Sequence, residues 1–297
     1  MTMNIAVIGV GSMGRPMAEN LIRAGYAVSV CDIRDEALAP FRARGIASSH
    51  LVEGCARVDV VIVMVGNDDD VELVAIGPGG LLAGIDPDHP PIVAIMSSVL
   101  PRTITKAAAA LAVKNAVVID APVSGGPVRA AEATMSIMAA GSDDVFAQLE
   151  PVFSALGRPI FRCGPVGSAA GVKIVNNILG VTNMLLMGEA AHLATSLGID
   201  LPFLSGVMEV SSGRNSATMD FSAYRALHLA NSRDPDVTRR LLDILRKDLK
   251  LANTLAGEVG IATPVLDAVS KATSGVTYDD LFARWQVALG GETPSEG

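Results

Sequence analysis

The fold of this chain is decided by one stretch near its start, Asn4-Ile5-Ala6-Val7-Ile8-Gly9-Val10-Gly11-Ser12-Met13-Gly14. Its first five residues form an apolar, β-branched run that predicts a strand, and the residues after Gly14 have the apolar spacing of a helix. Between them, Gly9 permits a tight turn, Gly11 lets the backbone approach a pyrophosphate, and Gly14 packs the helix against the strand. The stretch therefore predicts a dinucleotide-binding turn that also includes Ser12 and Met13.

An acidic residue follows at the spacing that such a turn requires. The run 27–31 predicts a second strand, and it ends in Asp32, about 20 residues beyond the turn, where a carboxylate accepts hydrogen bonds from both ribose hydroxyls of NAD. We therefore predict NAD as the cofactor, because Asp32 would repel the 2′-phosphate of NADP. Arg34 keeps NADP open as the alternative, since its guanidinium is close enough in sequence to swing and bind that phosphate.

The rest of the N-terminal half alternates between strands and helices. Residues 58–64 and 92–96 are near-continuous apolar runs, which are typical of central parallel strands. Helical segments are predicted near 35–44, 68–76 and after Pro101, and further strands at 117–120, 136–140 and 160–163. The alternation predicts an α/β fold, a Rossmann-type doubly wound parallel sheet over residues 1–164.

A long helix is predicted from about Gly164 to Leu197. It is apolar on nearly every side, a pattern that indicates a buried helix. Lys173 and Asn177 interrupt the apolar sequence one turn apart on a single face. Because a buried ammonium without a polar partner is costly, we expect this face to open on a cleft between two domains.

Only helices are predicted after the long helix, near 201–210, 216–230, 236–258, 264–274 and 278–289. Residues 165–297 are therefore expected to form an all-helical C-terminal domain, joined to the first domain by the long helix.

Composition excludes several classes of protein. Half of the 297 residues are hydrophobic and 18% are charged, as expected for a globular chain of two domains. The net charge of −8 and the absence of a basic run argue against nucleic acid or an anionic membrane as a partner. Charged and polar residues interrupt the longest apolar segment, so we predict no membrane span, and we see no signal peptide.

The cysteines and histidines indicate no metal site. Cys31, Cys55 and Cys163 are odd in number and lack metal-ligand spacing, which fits reduced thiols in the cytoplasm. The four histidines likewise lack any partner spacing.

Four motifs in this order resemble those of the β-hydroxyacid dehydrogenases, the group that includes 3-hydroxyisobutyrate dehydrogenase and tartronate semialdehyde reductase. They are the cofactor turn 9–21, the substrate loop 120–126, the catalytic helix 167–177 and the C-terminal motif 247–252. The resemblance implies reversible hydride transfer between NAD(P) and a small β-hydroxy acid, in a homodimer or homotetramer. It also implies cofactor contacts by Val65, Ser98 and Lys247.

The substrate loop and the long helix carry the implied chemistry. Ser124, Gly125 and Gly126 offer a hydroxyl and exposed N–H groups to a substrate carboxylate, although an ordinary turn would have the same sequence. Desolvation would lower the pKa of Lys173, which would suit its side chain to donate a proton. The alternative is a lysine without a catalytic role, whose side chain extends along the apolar wall and places its ammonium at the surface. Asn177 is then expected to hold the reacting oxygen or the lysine.

The sequence alone leaves the roles of several other residues undecided. Asp248 is expected to contact the substrate and Lys247 the cofactor, unless both belong to a solvated helix face. Arg129, Ala133, Ala169 and Arg240 depart from the usual family residues, and either arginine would suit a second anionic group of the substrate. An imine reductase and a non-catalytic dinucleotide sensor remain as alternatives, and Lys173 with Asn177 disfavours both.

Overall fold

The computed structural model describes residues 3–48, 55, 57–215, 218–219 and 235–277. The predicted helix at 278–289 lies outside the described residues, as does the one at 216–230 apart from residues 218–219. The chain forms two compact units, Met1–Ile174 and Val175–Gly297. The first is an α/β unit, and the described part of the second is helical.

A six-stranded parallel sheet forms the centre of the first unit. Its spatial order is β3-β2-β1-β4-β5-β6, so the chain winds outward from β1 in both directions. The predicted doubly wound sheet is thereby confirmed. The strands are β1 (Asn4–Ile8), β2 (Ala27–Cys31), β3 (Ala47–Ser48), β4 (Val60–Val63), β5 (Ile92–Ile95) and β6 (Val117–Asp120).

Helices cover both faces of this sheet. Because side chains alternate along a strand, Ile5 of β1 packs in one buried cluster with Leu21, while Ile8 packs in a second cluster with Ile104. Both faces of each central strand are therefore apolar, which explains the continuous apolar runs in the sequence. The helices are α1 (Gly14–Arg23), α2 (Asp35–Arg42), α3 (Asp68–Ile76), α4 (Leu81–Gly84) and α5 (Pro101–Leu111), followed by a 3₁₀ turn (Ala112–Lys114).

A second, three-stranded sheet follows β6. Strand β7 (Val123–Ser124) pairs antiparallel with β8 (Ser136–Ala139), which pairs parallel with β9 (Ile160–Arg162). Helices α6 (Gly126–Ala131) and α7 (Asp143–Ser154) connect these strands. The sequence predicted β8 and β9 but not the separate sheet, and it missed β3 and β7, since two residues show no alternation.

Helix α8 (Ser168–Ser196) is the long helix, and it begins four residues later than predicted. Gly164 and Gly167 have φ angles of +101° and +94°, which are incompatible with a right-handed helix.

The prediction that α8 is buried on nearly every side was wrong. Val172, Leu179, Leu186 and Leu193 recur every seven residues, and Leu179 and Leu193 are 63% and 62% exposed. The described part of the chain leaves this apolar stripe uncovered. The apolar sequence of α8 was therefore not sufficient to predict that its side chains are buried. By length and composition alone α8 would also suffice to cross a membrane.

The second unit contains three further described helices, α9 (Leu201–Glu209), α10 (Pro235–Glu258) and α11 (Pro264–Ser274). Leu201 of α9 packs with Met187 and Ala191 of α8. Between α10 and α11, the Asn253 side-chain amide donates a 2.8 Å hydrogen bond to the Ser270 hydroxyl.

Candidate functional site

The glycine turn after β1 has the geometry that a dinucleotide requires. A Cβ at Gly9, where φ is +87°, would lie 2.3 Å from the Met64 carbonyl oxygen, and one at Gly14 would lie 1.8 Å from the Gly9 carbonyl oxygen. Around Gly11, by contrast, only the Arg34 guanidinium comes within 4 Å of a built Cβ, at 3.3 Å. Gly9 and Gly14 are thus required by backbone packing, while Gly11 leaves an open approach of the kind that a pyrophosphate needs.

Asp32 is a buried carboxylate with both oxygens hydrogen-bonded. Its Oδ2 accepts from the Val10 N–H at 2.9 Å and from Arg34 Nη2 at 3.2 Å, and its Oδ1 accepts from the Arg34 N–H at 2.9 Å and from Arg34 Nε at 3.1 Å. Burial acts to raise the pKa of Asp32, but the hydrogen bonds from Arg34 and Val10 outweigh it and lower that pKa. Asp32 is therefore ionised and paired with Arg34 at neutral pH.

The other cofactor candidates of the first unit lie at the same edge of the sheet. Val65 and Ser98 follow the carboxyl ends of β4 and β5, just as Gly9 and Asp32 follow those of β1 and β2. The Val65 N–H donates to the Ser97 hydroxyl at 2.8 Å, which fixes these two loops together. Nucleotides bind at this edge of an open parallel sheet. The predicted contacts at Ser12 and Met13 lie in the turn itself, directly before α1.

The substrate-loop candidates form the bend between β7 and α6. Gly125 has φ +138° and Gly126 has φ +70°, so both occupy backbone conformations that favour glycine. Ser124 is half-buried and stands opposite Ser136 in the β7–β8 register. Arg129 is exposed on α6, and Arg240 is exposed on α10.

The N-terminus of α8 is held by a residue whose role sequence reasoning missed. Asp120, fully buried at the end of β6, accepts from the Gly167 N–H at 2.7 Å through Oδ1 and from the Ala170 N–H at 2.9 Å through Oδ2. Burial raises the pKa of Asp120, against the opposing effect of these N–H groups. The feature of the sequence that could have indicated this role is an acidic residue, Asp120, directly after the apolar run 117–119.

Lys173 lies in the second turn of α8, and it is only 7% exposed. This burial matches the expectation from sequence, and it does not fit a lysine that extends its ammonium into water. Asn177 follows one turn later on the same helix and is half-buried. That their shared face opens on a cleft between domains stays a prediction.

Asn177 is oriented by Asp248 within the second unit. Its Nδ2 donates to Asp248 Oδ2 at 2.8 Å, and Asp248 is buried at 9% exposure. Lys247 Nζ is 3.5 Å from Asp248 Oδ1, and that oxygen accepts no hydrogen bond within the described residues. Asp248 is thus not part of a solvated helix face, and its carboxylate would repel a substrate carboxylate.

No group of three or more potential metal ligands occurs within the described part of the chain.

Two family models match nearly the whole chain. The model of the NAD binding domain of 6-phosphogluconate dehydrogenase matches residues 4–164, and the model described as NAD-binding of NADP-dependent 3-hydroxyisobutyrate dehydrogenase matches residues 167–280.

Named relatives and a solved structure are also similar. A 3-hydroxyisobutyrate dehydrogenase of Pseudomonas aeruginosa is 34% identical over 88% of this chain and 88% of its own length. A 2-(hydroxymethyl)glutarate dehydrogenase of Eubacterium barkeri is 36% identical over 73% of this chain and 71% of its own. The structure of a 3-hydroxyisobutyrate dehydrogenase from Mycobacterium tuberculosis with L-serine superposes with a TM-score of 0.79 at 24% identity, covering 98% of this chain and 99% of that one, and it supports the fold.

Proposed function

This chain belongs to the β-hydroxyacid dehydrogenase family and is an NAD(P)-dependent hydroxyacid dehydrogenase acting on a small carboxylate substrate, and from this membership we propose that it interconverts a β-hydroxy acid with its semialdehyde or ketone. The observation that carries the proposal is Lys173, a lysine in the second turn of α8 that is only 7% exposed. The named relatives are hydroxyacid dehydrogenases, which favours this reading over an imine reductase or a non-catalytic sensor.

The cofactor would be held at the carboxyl edge of the sheet by residues 9–14, Asp32, Val65 and Ser98, with Lys247 as a further proposed contact. When bound, the nicotinamide supplies or accepts the hydride. Ser124, Gly125 and Gly126 bind the substrate carboxylate through a hydroxyl and backbone N–H groups. We propose that residues 1–164 form the cofactor-binding domain and that residues 165–297 form the helical domain for substrate binding and oligomer assembly.

The proton is moved by this chain's own side chains. In the reductive direction, the Lys173 ammonium gives a proton to the carbonyl oxygen as that oxygen becomes a hydroxyl, and in the oxidative direction the neutral amine takes the hydroxyl proton. Asn177 holds the same oxygen in place. Asp248 orients Asn177 by accepting one of its amide hydrogens, so we assign Asp248 a positioning role rather than contact with the substrate.

The assay that tests this function follows the absorbance of NADH during incubation with β-semialdehydes, and of NAD with the hydroxy acids that the relatives' names suggest. A parallel panel of cyclic imines tests the imine reductase alternative. We expect turnover with an acid that carries a β-hydroxyl. Turnover with imines alone, or cofactor binding without turnover on any panel, would refute the proposal.

The positioning role of Asp248 predicts a split between kcat and KM. Asp248→Ala frees the Asn177 amide and should lower kcat by about tenfold or more, the effect of losing a charged hydrogen bond, with little change in KM. Asp248→Asn still offers an acceptor oxygen to Asn177 and should restore most of kcat. Steady-state kinetics measure both, with Asp243→Ala, an exposed carboxylate on α10, as the control. A change confined to KM would instead indicate contact with the substrate.

The uncovered stripe on α8 predicts self-association. Apolar side chains every seven residues match the seam between two packed helices, and a second copy would cover them. We expect a light-scattering mass of a dimer or tetramer of the 30.6 kDa chain, reduced by Leu179→Glu with Leu186→Glu but not by Val113→Glu, which changes an exposed valine of the first unit. A monomeric wild type would contradict this, and recovery in the membrane fraction would contradict the proposed cytoplasmic location.

A further inference from the structure

One buried polar side chain of α1, the helix that follows the glycine turn, takes no part in the proposed chemistry. Asn20 is 3% exposed and lies between the buried apolar residues Met17 and Leu21 of the same helix. Its Nδ2 donates a 2.7 Å hydrogen bond to the carbonyl oxygen of Ala130, which is 110 residues away along the chain. Because Ala130 belongs to α6, this bond joins the helix of the glycine turn to the helix of the substrate loop.

The orientation of the Asn20 amide is fixed by a second residue of α1. Arg23 Nη1 donates to Asn20 Oδ1 at 2.9 Å. A guanidinium has donors but no acceptor, so the amide oxygen must face Arg23, and the amide nitrogen is left to face Ala130. The amide is therefore set in the direction that a bond to α6 requires.

Helix α6 depends on this bond because it buries so little of itself. Of its six residues, all of which the structure describes, only Ala130 is buried. A helix of this length is marginal on its own, and its last four carbonyls have no partner within the helix. The Asn20 amide satisfies one of these carbonyls, and it lies closer than the Ala133 N–H, which is 3.4 Å from the same oxygen.

The position of α6 determines the shape of the substrate loop. Gly125 directly precedes α6, and a Cβ built on it would lie 2.8 Å from Arg129 Cβ and 2.9 Å from Arg129 Cδ. The aliphatic part of Arg129 therefore covers the Gly125 backbone. On the other side of the loop, Ser124 is held by its pairing with Ser136 of β8. A displacement of α6 would thus change the backbone at Gly125 and Gly126, between a strand that stays and a helix that moves.

We propose that Asn20 is a positioning residue, which holds the substrate loop in the conformation that binds a carboxylate by tethering α6 to α1. That the loop binds the substrate carboxylate rests on the proposed function, whereas the tether rests on the two hydrogen bonds of Asn20. One helix thereby supports both proposed sites, with its first turn at the nucleotide and Asn20 at the helix of the substrate loop.

The tether is tested first without substrate, by hydrogen exchange followed by mass spectrometry. Asn20→Ala leaves the buried Ala130 carbonyl without its closer donor, so exchange in residues 126–134 should be faster by about 5- to 100-fold, with β1 and β4 unchanged. Asn20→Asp keeps an acceptor for Arg23 but has no amide donor, and it should have the same effect. Arg23→Ala keeps the donor and loses only its orientation, so its effect should be smaller.

Steady-state kinetics and an NADH titration then test the consequence for the substrate. The substrate is the acid with the highest kcat/KM in the panel above, with 3-hydroxyisobutyrate and L-serine tried first. Asn20→Ala should raise its KM by at least about fivefold and change kcat by less than about twofold, because the loop holds the carboxylate and not the reacting oxygen. The affinity for NADH should stay within about twofold of wild type, since the glycine turn is intact.

Asn115→Ala is the matched control. The Asn115 amide also donates to a backbone carbonyl, that of Pro87 at 3.1 Å, but both residues precede their strands and lie at the amino edge of the sheet, away from the proposed sites. Because Asn115 has φ +60°, its replacement should lower the melting temperature. It should leave KM and the exchange of residues 126–134 unchanged.

Three results would overturn the inference, and each differs from a failure of the proposed function. Exchange at the wild-type rate in Asn20→Ala would refute the tether. Faster exchange with an unchanged KM would refute the role in substrate binding. Equal losses of NADH affinity and substrate affinity, with a lower melting temperature, would show that Asn20 only stabilises the fold. If wild type turned over no acid of the panel, the proposed function and the substrate role of the loop would be refuted together, and the exchange result would still decide whether Asn20 holds α6.

Discussion

Replacing Lys173 with alanine should lower the turnover number by about 10²–10⁴-fold, the range expected for loss of a general acid. The affinity for NADH should change little, because the proposed cofactor contacts are made mainly by the glycine turn and Asp32. Lys173→Arg should be nearly as damaging, since a guanidinium keeps its proton at any working pH and needs more room in a buried position. Steady-state kinetics and an NADH titration measure the two effects separately.

A purely structural lysine makes the opposite prediction. Both substitutions would then leave turnover almost unchanged and reduce only the melting temperature. Lys271→Ala, which alters an exposed lysine on α11, controls for the general effect of removing a lysine. If Lys173→Ala kept more than about a tenth of wild-type turnover, the loss would be too small for a general acid, and the proton donor would have to be sought among Ser124, Asn177 and Asp248.

Substitutions at two glycines of the same turn should have different effects, one on stability and the other on cofactor affinity. Gly14→Ala places a Cβ 1.8 Å from the Gly9 carbonyl oxygen, so the backbone must move, and we expect a loss of about 3 kcal/mol or more in the free energy of unfolding. Gly11→Ala meets only the end of the flexible Arg34 side chain, so the protein should fold normally. Its methyl group would, however, block the approach of the pyrophosphate, and we expect NADH affinity to fall by at least about tenfold, or about 1.4 kcal/mol.

Thermal unfolding and calorimetric titration of the two variants distinguish these results. Gly25→Ala serves as a control for Gly→Ala at a position without neighbours within 4 Å, although its positive φ will cost some stability. If Gly11→Ala bound NADH like wild type, the pyrophosphate would not lie against Gly11, and the proposed placement of the cofactor would be wrong.

The predictable parts of this fold are those encoded by residues close together in sequence. The glycine turn, the second strand and Asp32 lie within the first 32 residues, and their spacing was sufficient to predict a Rossmann-type sheet. The apolar strands of that sheet were also recognisable, because both of their faces are buried.

Contacts between distant residues were not predictable. Asp120 and Gly167 are 47 residues apart, and Asn177 and Asp248 are 71 apart, so no local pattern indicated either hydrogen bond. For Asp248 the missing contact changed the proposed role, from binding the substrate to orienting Asn177. Even for Asp32 and Arg34, which are two residues apart, the sequence shows the two opposite charges but does not show that their side chains pair with each other.

The apolar stripe of α8 shows a different limit. Hydrophobicity along a helix indicates that a surface needs to be covered, but it does not indicate whether the same chain covers it. The sequence predicts Leu179 and Leu193 as core residues, but both are exposed within the described chain, so the burial of α8 was overestimated. Self-association that covers these side chains stays a proposal.

Asp120 connects the start of α8 to both sheets through hydrogen bonds. Its backbone N–H and carbonyl pair with Ala140, next to β8, while its side chain holds the Gly167 and Ala170 amides. Helix ends usually fray independently of the rest of a protein, but here fraying would also strip a buried carboxylate of its donors. We therefore expect the first turn of α8 and the edge strand β6 to open together, so that Lys173 in the next turn moves little unless this edge of the sheet also opens.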